Sequence, residues 1–175
     1  MRGRRLKAPS GRTIRPTSDR IRESIFDLLG PQLSGQSVLD LFAGTGAMGL
    51  EALSRGFERA VFVELARTAR VLIDENIALC KIESSCRVVA ADVGHFLKTL
   101  DHQAPFDLIL LDPPYGSELP GKVLAALGKH AWLAKAGRVV CETEVETELS
   151  DSYGSLARVK LKRYGSTAIH IFRNQ

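Results

Sequence analysis

A glycine-rich segment between an apolar run and a helix pattern carries the clearest chemical signal in the sequence. Residues 44–49 read GTGAMG, which matches the G-x-G-x-x-G spacing of nucleotide-binding turns. Glycines at these positions let a ligand approach the backbone closely. Glu64 lies 20 positions after Gly44, at the end of the next apolar run, where a carboxylate accepts hydrogen bonds from ribose hydroxyls. The pattern predicts a site for a cofactor that contains a nucleoside.

Asp40, in the segment VLDLFA at residues 38–43, indicates which cofactor fits. Its negative charge would repel a dinucleotide pyrophosphate on the loop, whereas S-adenosylmethionine has no phosphate and carries a cationic ammonium and sulfonium. Asp92 opens a later helix pattern and can accept from an adenine amino group, cap the helix, or do both. An acid that only caps the turn is the alternative for Asp40. The predicted cofactor-binding residues are Asp40, Phe42, Ala43, Gly44, Thr45, Gly46, Glu64 and Asp92.

A second motif, DPPY at residues 112–115, ends another apolar run. The exocyclic amine of a nucleic acid base is a poor nucleophile, because its lone pair is delocalised into the ring. The carboxylate of Asp112 and the carbonyl of Pro113 can accept its two N–H bonds, and proline fixes the backbone that holds this carbonyl. Tyr115 can stack on the base. We predict a catalytic segment of Asp112, Pro113, Pro114 and Tyr115, with a plain proline turn as the alternative.

Positive charge is concentrated at the two ends of the chain. Residues 1–22 contain eight Lys/Arg and one acid, for a net charge of +7, while residues 23–149 carry −7 and residues 150–175 carry +4. Such an asymmetry favours a polyanion that binds at one place, although a solvated basic tail is the alternative. The predicted RNA-binding residues are Arg2, Arg4, Arg5, Arg12, Arg15, Arg20 and Arg22.

The elements that must position these residues alternate between strand and helix patterns. Continuous apolar strands separated by helices predict a parallel sheet covered on both faces, and two final strand-like runs around residues 165–166 predict an antiparallel hairpin. The fold class is therefore α/β: a doubly wound, mostly parallel sheet of about seven strands. We expect a basic arm over residues 1–16 and one catalytic domain over residues 17–175. The predicted strands are 37–42, 60–64, 87–91, 107–111, 138–141, 156–164 and 167–172. The predicted helices are 18–29, a segment from the end of the glycine loop (43–49) to about 55, 66–79, 93–100 and a segment within 120–133.

Other features narrow the class of protein. No run approaches the roughly 18 apolar residues of a membrane span. Three cysteines without C-x-x-C spacing indicate reduced thiols, and four scattered histidines give no metal-ligand spacing. We expect a cytoplasmic monomer without a metal. The alternating Glu142, Glu144, Glu146 and Glu148 predict a solvated strand edge.

Taken together, DLFAGTG at residues 40–46 and DPPY resemble the class I amino-methyltransferases. The segments RGR at 2–4, RPTSDRIRESIF at 15–26 and GLEALSRG at 49–56 resemble the RsmD family over nearly the whole chain. That resemblance implies transfer of a methyl group from S-adenosylmethionine to N2 of a guanine in the helix 31 loop of 16S ribosomal RNA, within a small-subunit particle. The target base would have to leave its stack to reach Asp112 and Tyr115.

Four other functions remain compatible with the motifs alone. DPPY also occurs in adenine-N6 DNA methyltransferases and glutamine-N5 protein methyltransferases of the same fold. A Rossmann-type dehydrogenase would share the glycine loop, although Asp40 disfavours it. A catalytically silent RNA-binding module would share the basic ends.

Overall fold

One mixed sheet of eight strands forms the centre of the computed structural model, which describes residues 6–8, 19–30, 35–99 and 105–175. The strands are β1 (Ser37–Leu41), β2 (Arg59–Val63), β3 (Cys86–Val89), β4 (Phe106–Leu111), β5 (Leu133–Glu144), β6 (Ser152–Tyr153), β7 (Leu156–Tyr164) and β8 (Thr167–Asn174). Their order is β3-β2-β1-β4-β5-β8-β7-β6. The first five strands run parallel, and β8 pairs antiparallel with both β5 and β7. The predicted doubly wound fold with a C-terminal hairpin is confirmed, with the two-residue β6 as an additional strand.

The helices cover both faces of the sheet, as continuous burial of the parallel strands requires. They are α1 (Asp19–Leu29), α2 (Ala47–Ser54), α3 (Arg67–Cys80), α4 (Val93–Phe96) and α5 (Leu119–Leu127). Helices α1, α2 and α3 pack on one face around Phe26, Phe62 and Ile169. Helices α4 and α5 pack on the other face around Leu41 and Trp132. Successive residues of each strand pack into the two cores in turn, because side chains alternate between the two faces of a sheet.

Several boundaries differ from the sequence predictions by three residues or more. Helix α2 begins at Ala47, inside the predicted glycine loop, and strand β5 extends to Glu144 rather than to residue 141. Helix α4 ends at Phe96 rather than near residue 100, and the segment from Leu133 belongs to the long strand β5 rather than to a helix. Leu133 pairs with Phe106 at the start of β4, with a register shift before Leu108. This early pairing extends β5 to twelve residues, and the sequence AKAG at residues 134–137 has no strand periodicity that reveals it.

Helix α1 runs in the same direction as α2 along the sheet. Arg22 lies 3.9 Å from Glu51, and one turn later the guanidinium of Arg55 stacks on the ring of Phe26. At the other end of α1, the ammonium of Lys160 donates to the carbonyl oxygen of Leu28. Because α2 begins at the carboxyl end of β1, the amino terminus of α1 points toward that same edge of the sheet.

In the part of the chain that the structure describes, no helix is both long enough and apolar enough to span a membrane.

Candidate active site

The predicted catalytic residues, Asp40, Glu64 and the glycine loop lie at the carboxyl ends of β1, β2 and β4, and Asp92 follows the neighbouring strand β3. Strands β1 and β4 are neighbours in the centre of the sheet, and the chain connections diverge on either side of them. In open α/β sheets this divergence leaves a crevice, which is where ligands bind. The loop after β1 holds the glycines, the loop after β2 holds Glu64, and the loop after β4 holds Asp112 and Tyr115.

The glycine loop adopts left-handed backbone at several positions. Gly44 and Gly46 have φ angles of 57° and 77°, and the non-glycine Phe42 has a φ of 61°. Such strain at a non-glycine residue persists where surrounding structure enforces it, and it is concentrated at functional sites. A Cβ atom at Gly49 would overlap the ring of Phe62 and lie 3.0 Å from Oδ2 of Asp40. The third glycine of the motif therefore allows α2 to pack closely on the sheet.

Asp40 lies beneath this loop, 3% exposed. Its Oδ2 accepts a hydrogen bond of 2.8 Å from the backbone N–H of Gly49. Burial raises the pKa of Asp40 to about 8, the Gly49 bond opposes this, and the charges of Asp112 and Glu64 raise it further. A carboxyl group with this pKa favours the protonated form at neutral pH, which differs from the fixed negative charge that the sequence suggested. A cation beside it would restore the carboxylate.

Glu64 joins the loops that follow β1 and β2. Its Oε2 accepts from the N–H of Gly44 at 2.9 Å, and its Oε1 accepts from the N–H of Ala66 at 2.8 Å. Each carboxylate oxygen has capacity for a second hydrogen bond. The side chain is only partly buried, so a ribose hydroxyl can reach it. This placement fits the predicted role in cofactor binding.

Asp92 caps helix α4, as one of its two predicted roles required. Its Oδ1 accepts from the N–H of His95 at 3.0 Å, and the residue is exposed. The cap leaves its other oxygen available at the carboxyl end of β3. The two predicted roles are therefore compatible.

The DPPY segment leaves β4 with Pro113 buried and Tyr115 41% exposed. The Tyr115 hydroxyl donates to Oε1 of Glu142 at 3.3 Å, and the N–H of Gly116 donates to Oε2 of Glu144 at 3.0 Å. The pKa of Tyr115 is raised, mainly by partial burial. Asp112 lies close enough to Asp40 to raise its pKa. The segment thus presents a carboxylate and an accessible aromatic ring beside the glycine loop.

The prediction that the four alternating glutamates form a solvated edge was wrong for two of them. Glu142 is 5% exposed and Glu144 is partly buried, whereas Glu146 and Glu148 are exposed. Strand β5 continues to Glu144 and pairs with β8, which encloses these two side chains beside the DPPY loop. Their position at the carboxyl end of the fifth strand was the available signal.

Asn76 is a further residue that sequence analysis did not identify. It is fully buried on α3, and its Nδ2 donates to the carbonyl of Thr45 at 3.0 Å and to the carbonyl of Lys7 at 3.1 Å. Its Oδ1 accepts from the N–H of Lys7 at 2.7 Å. The Lys7 ammonium also pairs with Glu75 at 3.2 Å. One amide side chain therefore connects the N-terminal segment to the glycine loop.

Two of the predicted RNA-binding arginines can be placed. Arg20 is exposed on the first turn of α1, whereas Arg22 is held by Asp19 at 2.8 Å and approaches Glu51. Arg20 is the more accessible of the two to a phosphate. The other predicted arginines lie outside the described residues: Arg2, Arg4, Arg5, Arg12 and Arg15.

Across the described residues, no group of three or more His, Cys, Asp or Glu side chains is placed to hold a metal ion.

Comparison with known proteins identifies the family. The family model described as conserved hypothetical protein 95 matches residues 1–173. The chain is 35% identical over 175 residues to the YlbH protein of Bacillus subtilis (strain 168), covering 99% of this chain and 95% of that protein. It is 33% identical over 174 residues to Ribosomal RNA small subunit methyltransferase D of Escherichia coli (strain K12), covering 99% of this chain and 86% of that protein.

The solved structure of the yhhF protein from Escherichia coli superposes with a TM-score of 0.85 at 33% identity, covering 99% of this chain and 93% of that one. The fold is that of the class I methyltransferases, and the order of strands, the glycine loop and the DPPY segment all agree with it. With a family model and relatives that match over almost its full length, the chain belongs to the RsmD family.

Proposed function

We propose that this protein transfers a methyl group from S-adenosylmethionine to the exocyclic N2 amine of a guanine in the helix 31 loop of small-subunit ribosomal RNA. The observation that carries the proposal is the adjacency of two sets of residues. Asp40, Glu64 and the glycine loop form a nucleoside site, and the loop after β4 presents Asp112 and Tyr115 next to it. The choice of guanine N2 and of helix 31 is supported by the family resemblance.

The residues present fit S-adenosylmethionine. Glu64 retains hydrogen-bonding capacity for ribose hydroxyls while it holds the two loops, and exposed Asp92 is placed for the adenine amino group. Asp40 is a buried acid whose pKa of about 8 would be lowered by a neighbouring cation. When bound, the cofactor supplies an electrophilic methyl group on a sulfonium.

The chain's own contribution to catalysis is positional. Asp112 and the carbonyl of Pro113 accept hydrogen bonds from the two N–H groups of the target amine and orient its nitrogen. Methyl transfer to this nitrogen requires positioning more than a strong base. Tyr115, with its ring accessible and its hydroxyl held by Glu142, stacks on the base that has left its helix. Once the methyl group has been transferred, the amine loses a proton to Asp112 or to water.

The RNA surface includes the basic residues at the N-terminus and Arg20, which α1 places toward the carboxyl edge of the sheet. We expect the substrate to be a small-subunit particle and the enzyme to act as a monomer.

The test is methylation of small-subunit particles purified from cells that lack the gene, with the modified nucleotide mapped by mass spectrometry. Free 16S RNA, duplex DNA and a glutamine-containing peptide serve as parallel substrates, and Asp112→Ala is the inactive control. We expect N2-methylguanine at one position in the helix 31 loop. Methylation of adenine N6 or of glutamine, with no product in RNA, would contradict the proposal.

A further inference from the structure

The C-terminal hairpin places a lysine in line with the residues that hold Tyr115. In the antiparallel register, Lys162 of β7 pairs with Ile169 of β8, and Ile169 pairs with Glu142 of β5. Directly opposed residues project from the same face of a sheet. Two strand spacings place the Cα of Lys162 about 10 Å from that of Glu142. Lys162 is therefore on the same side of the sheet as the glutamate that accepts from Tyr115.

That side of the sheet is also the side of the cofactor loop. Ile169 belongs to the same apolar core as Phe62 and Met48, and Met48 lies within the glycine-rich segment 44–49, on the first turn of α2. In the next row toward the carboxyl edge, Tyr164 pairs with Thr167, which pairs with Glu144. Lys162 therefore lies two residues further from the carboxyl edge than the row that contains Glu144, which accepts from the N–H of Gly116.

Lys162 differs in its side-chain contacts from Lys160 and Arg158, two other basic residues of β7. Lys160 donates to the end of α1, and Arg158 pairs with Asp151. Among the residues that the structure describes, Lys162 makes no ion pair, and it is exposed. The adjacent Arg163 is equally exposed but pairs with Ala168, so it projects from the opposite face.

The charge balance of the site explains why a cation is needed there. Glu142 and Glu144 contact Tyr115 and Gly116, and Asp112 begins the same segment. Negative charge on these acids would repel the phosphates on either side of a base held at Tyr115. Lys162, exposed in the same row as Glu142 and next to the row of Glu144, would offset this repulsion. A second explanation for the lysine is protection of an open strand edge. In the described part of the chain, β6 pairs with β7 at Leu156 and Ala157, which leaves the edge of β7 near Lys162 without a partner strand. Edge protection, however, would be served equally by Lys162 and Arg163.

We propose that Lys162 binds a backbone phosphate of the substrate RNA, next to the nucleotide whose base is held at Tyr115. The inference rests on the proposed function and assigns to the C-terminal hairpin a part in RNA binding in addition to the N-terminal segment. A point charge on a flexible stem suits a phosphate contact that positions RNA without reading its sequence.

The experiment compares Lys162→Ala with Arg163→Ala, which removes the same charge from the neighbouring residue on the other face. Steady-state methylation of particles from cells lacking the gene is measured from 50 to 200 mM salt, with cofactor affinity and thermal unfolding as controls. Lys162→Ala should raise KM for the particle and leave kcat and cofactor affinity unchanged. Loss of one phosphate contact should flatten the log–log dependence of 1/KM on salt concentration by about 0.7–0.9. The ratio of variant KM to wild-type KM should therefore fall about threefold between 50 and 200 mM salt. Arg163→Ala should match the wild type, and Lys162→Arg should retain the phosphate.

Equal KM values and equal salt slopes for the two alanine variants would overturn the inference and leave the methyltransferase function intact. A raised KM with an unchanged salt slope would also overturn it, because it would indicate contact with a ribosomal protein. Failure of the wild type to methylate any particle or RNA would overturn the proposed function, and the inference with it.

Discussion

The hydroxyl of Tyr115 lies 3.3 Å from Oε1 of Glu142, and this contact ties the exposed ring of the DPPY segment to a buried strand. Glu142 lies 27 residues further along the chain, on β5. The N–H of Gly116 makes a parallel contact with Glu144. The loop after β4 is therefore held from the neighbouring strand at two consecutive residues, which fixes where an aromatic ring is available for stacking.

The ring and the hydroxyl of Tyr115 should have separable effects. Tyr115→Ala should weaken RNA binding by about 1–3 kcal/mol through loss of stacking. Tyr115→Phe keeps the ring and should cost less, about 0.5–1.5 kcal/mol, since it removes only the hydrogen bonds of a partly exposed hydroxyl. Measured RNA affinities for Tyr115→Phe, Glu142→Ala and the double variant should be non-additive. Fully additive effects would show that the contact does not position the ring.

Asp112 should matter for transfer and much less for cofactor binding. Asp112→Ala should abolish methylation, because the target amine loses an acceptor that orients its nitrogen. Asp112→Asn should keep part of the activity, since an amide oxygen still accepts one hydrogen bond. Single-turnover rates and calorimetric cofactor affinity would be measured on both variants. A near wild-type rate for Asp112→Ala would refute the proposed geometry.

Asp40 should make stability and cofactor affinity respond oppositely to pH. Its pKa is about 8 in the folded protein against an ordinary value of 3.8, so between these values the folded state retains a proton that the unfolded chain releases. The free energy of unfolding contributed by Asp40 therefore falls as pH rises from about 4 to about 8. Affinity for a cationic cofactor should rise over the upper part of that range, because binding favours the ionised acid and releases a proton.

Asp40→Asn is the matched variant, since its amide oxygen still accepts from Gly49 but cannot ionise. Denaturant unfolding at several pH values should show a flatter profile for this variant than for the wild type. Its cofactor affinity should be lower and independent of pH across neutrality. Calorimetry in buffers of different ionisation enthalpy would detect the released proton, and equal heats in all buffers would argue against this account.

Glu64 should contribute to cofactor affinity directly and through the two loops it holds. Glu64→Ala removes the ribose acceptor and also the partner of the Gly44 and Ala66 amides. Cofactor binding should weaken by roughly 1–3 kcal/mol while the protein stays folded. Calorimetry with circular dichroism as a folding control measures this. An unchanged affinity in a folded variant would remove Glu64 from the cofactor site.

Removal of residues 1–5 would test the N-terminal arginines without touching Lys7. The deletion takes away Arg2, Arg4 and Arg5 and leaves the hydrogen bonds between Lys7 and Asn76 in place. RNA affinity should fall, with a salt slope flatter by about 0.7–0.9 for each phosphate that the shortened protein no longer binds. Cofactor affinity should stay at the wild-type value. An unchanged salt slope would identify this stretch as a solvated tail.

Local sequence patterns were sufficient to predict the parallel sheet and to place the glycine loop, Glu64 and Asp112 at the ends of its strands. The apolar runs before Asp40 and Asp112 predicted parallel strands, and the glycines between Asp40 and Glu64 predicted the turn that the structure shows. Glu142 could not be predicted in the same way, because alternating glutamates are typical of an exposed edge and only pairing with β8 buries this one. Asn76 was missed because its partners Thr45 and Lys7 are 31 and 69 residues away.

The three hydrogen bonds of Asn76 have a practical consequence for anyone who shortens this protein. A cut after residue 8 would strip a fully buried amide of two of its three partners and leave only the one beneath the glycine loop. An unsatisfied buried polar group costs about 1–3 kcal/mol, and here the remaining partner is Thr45 of the glycine loop. Loss of cofactor binding after such a cut would then reflect a destabilised glycine loop rather than a ligand contact made by the removed residues.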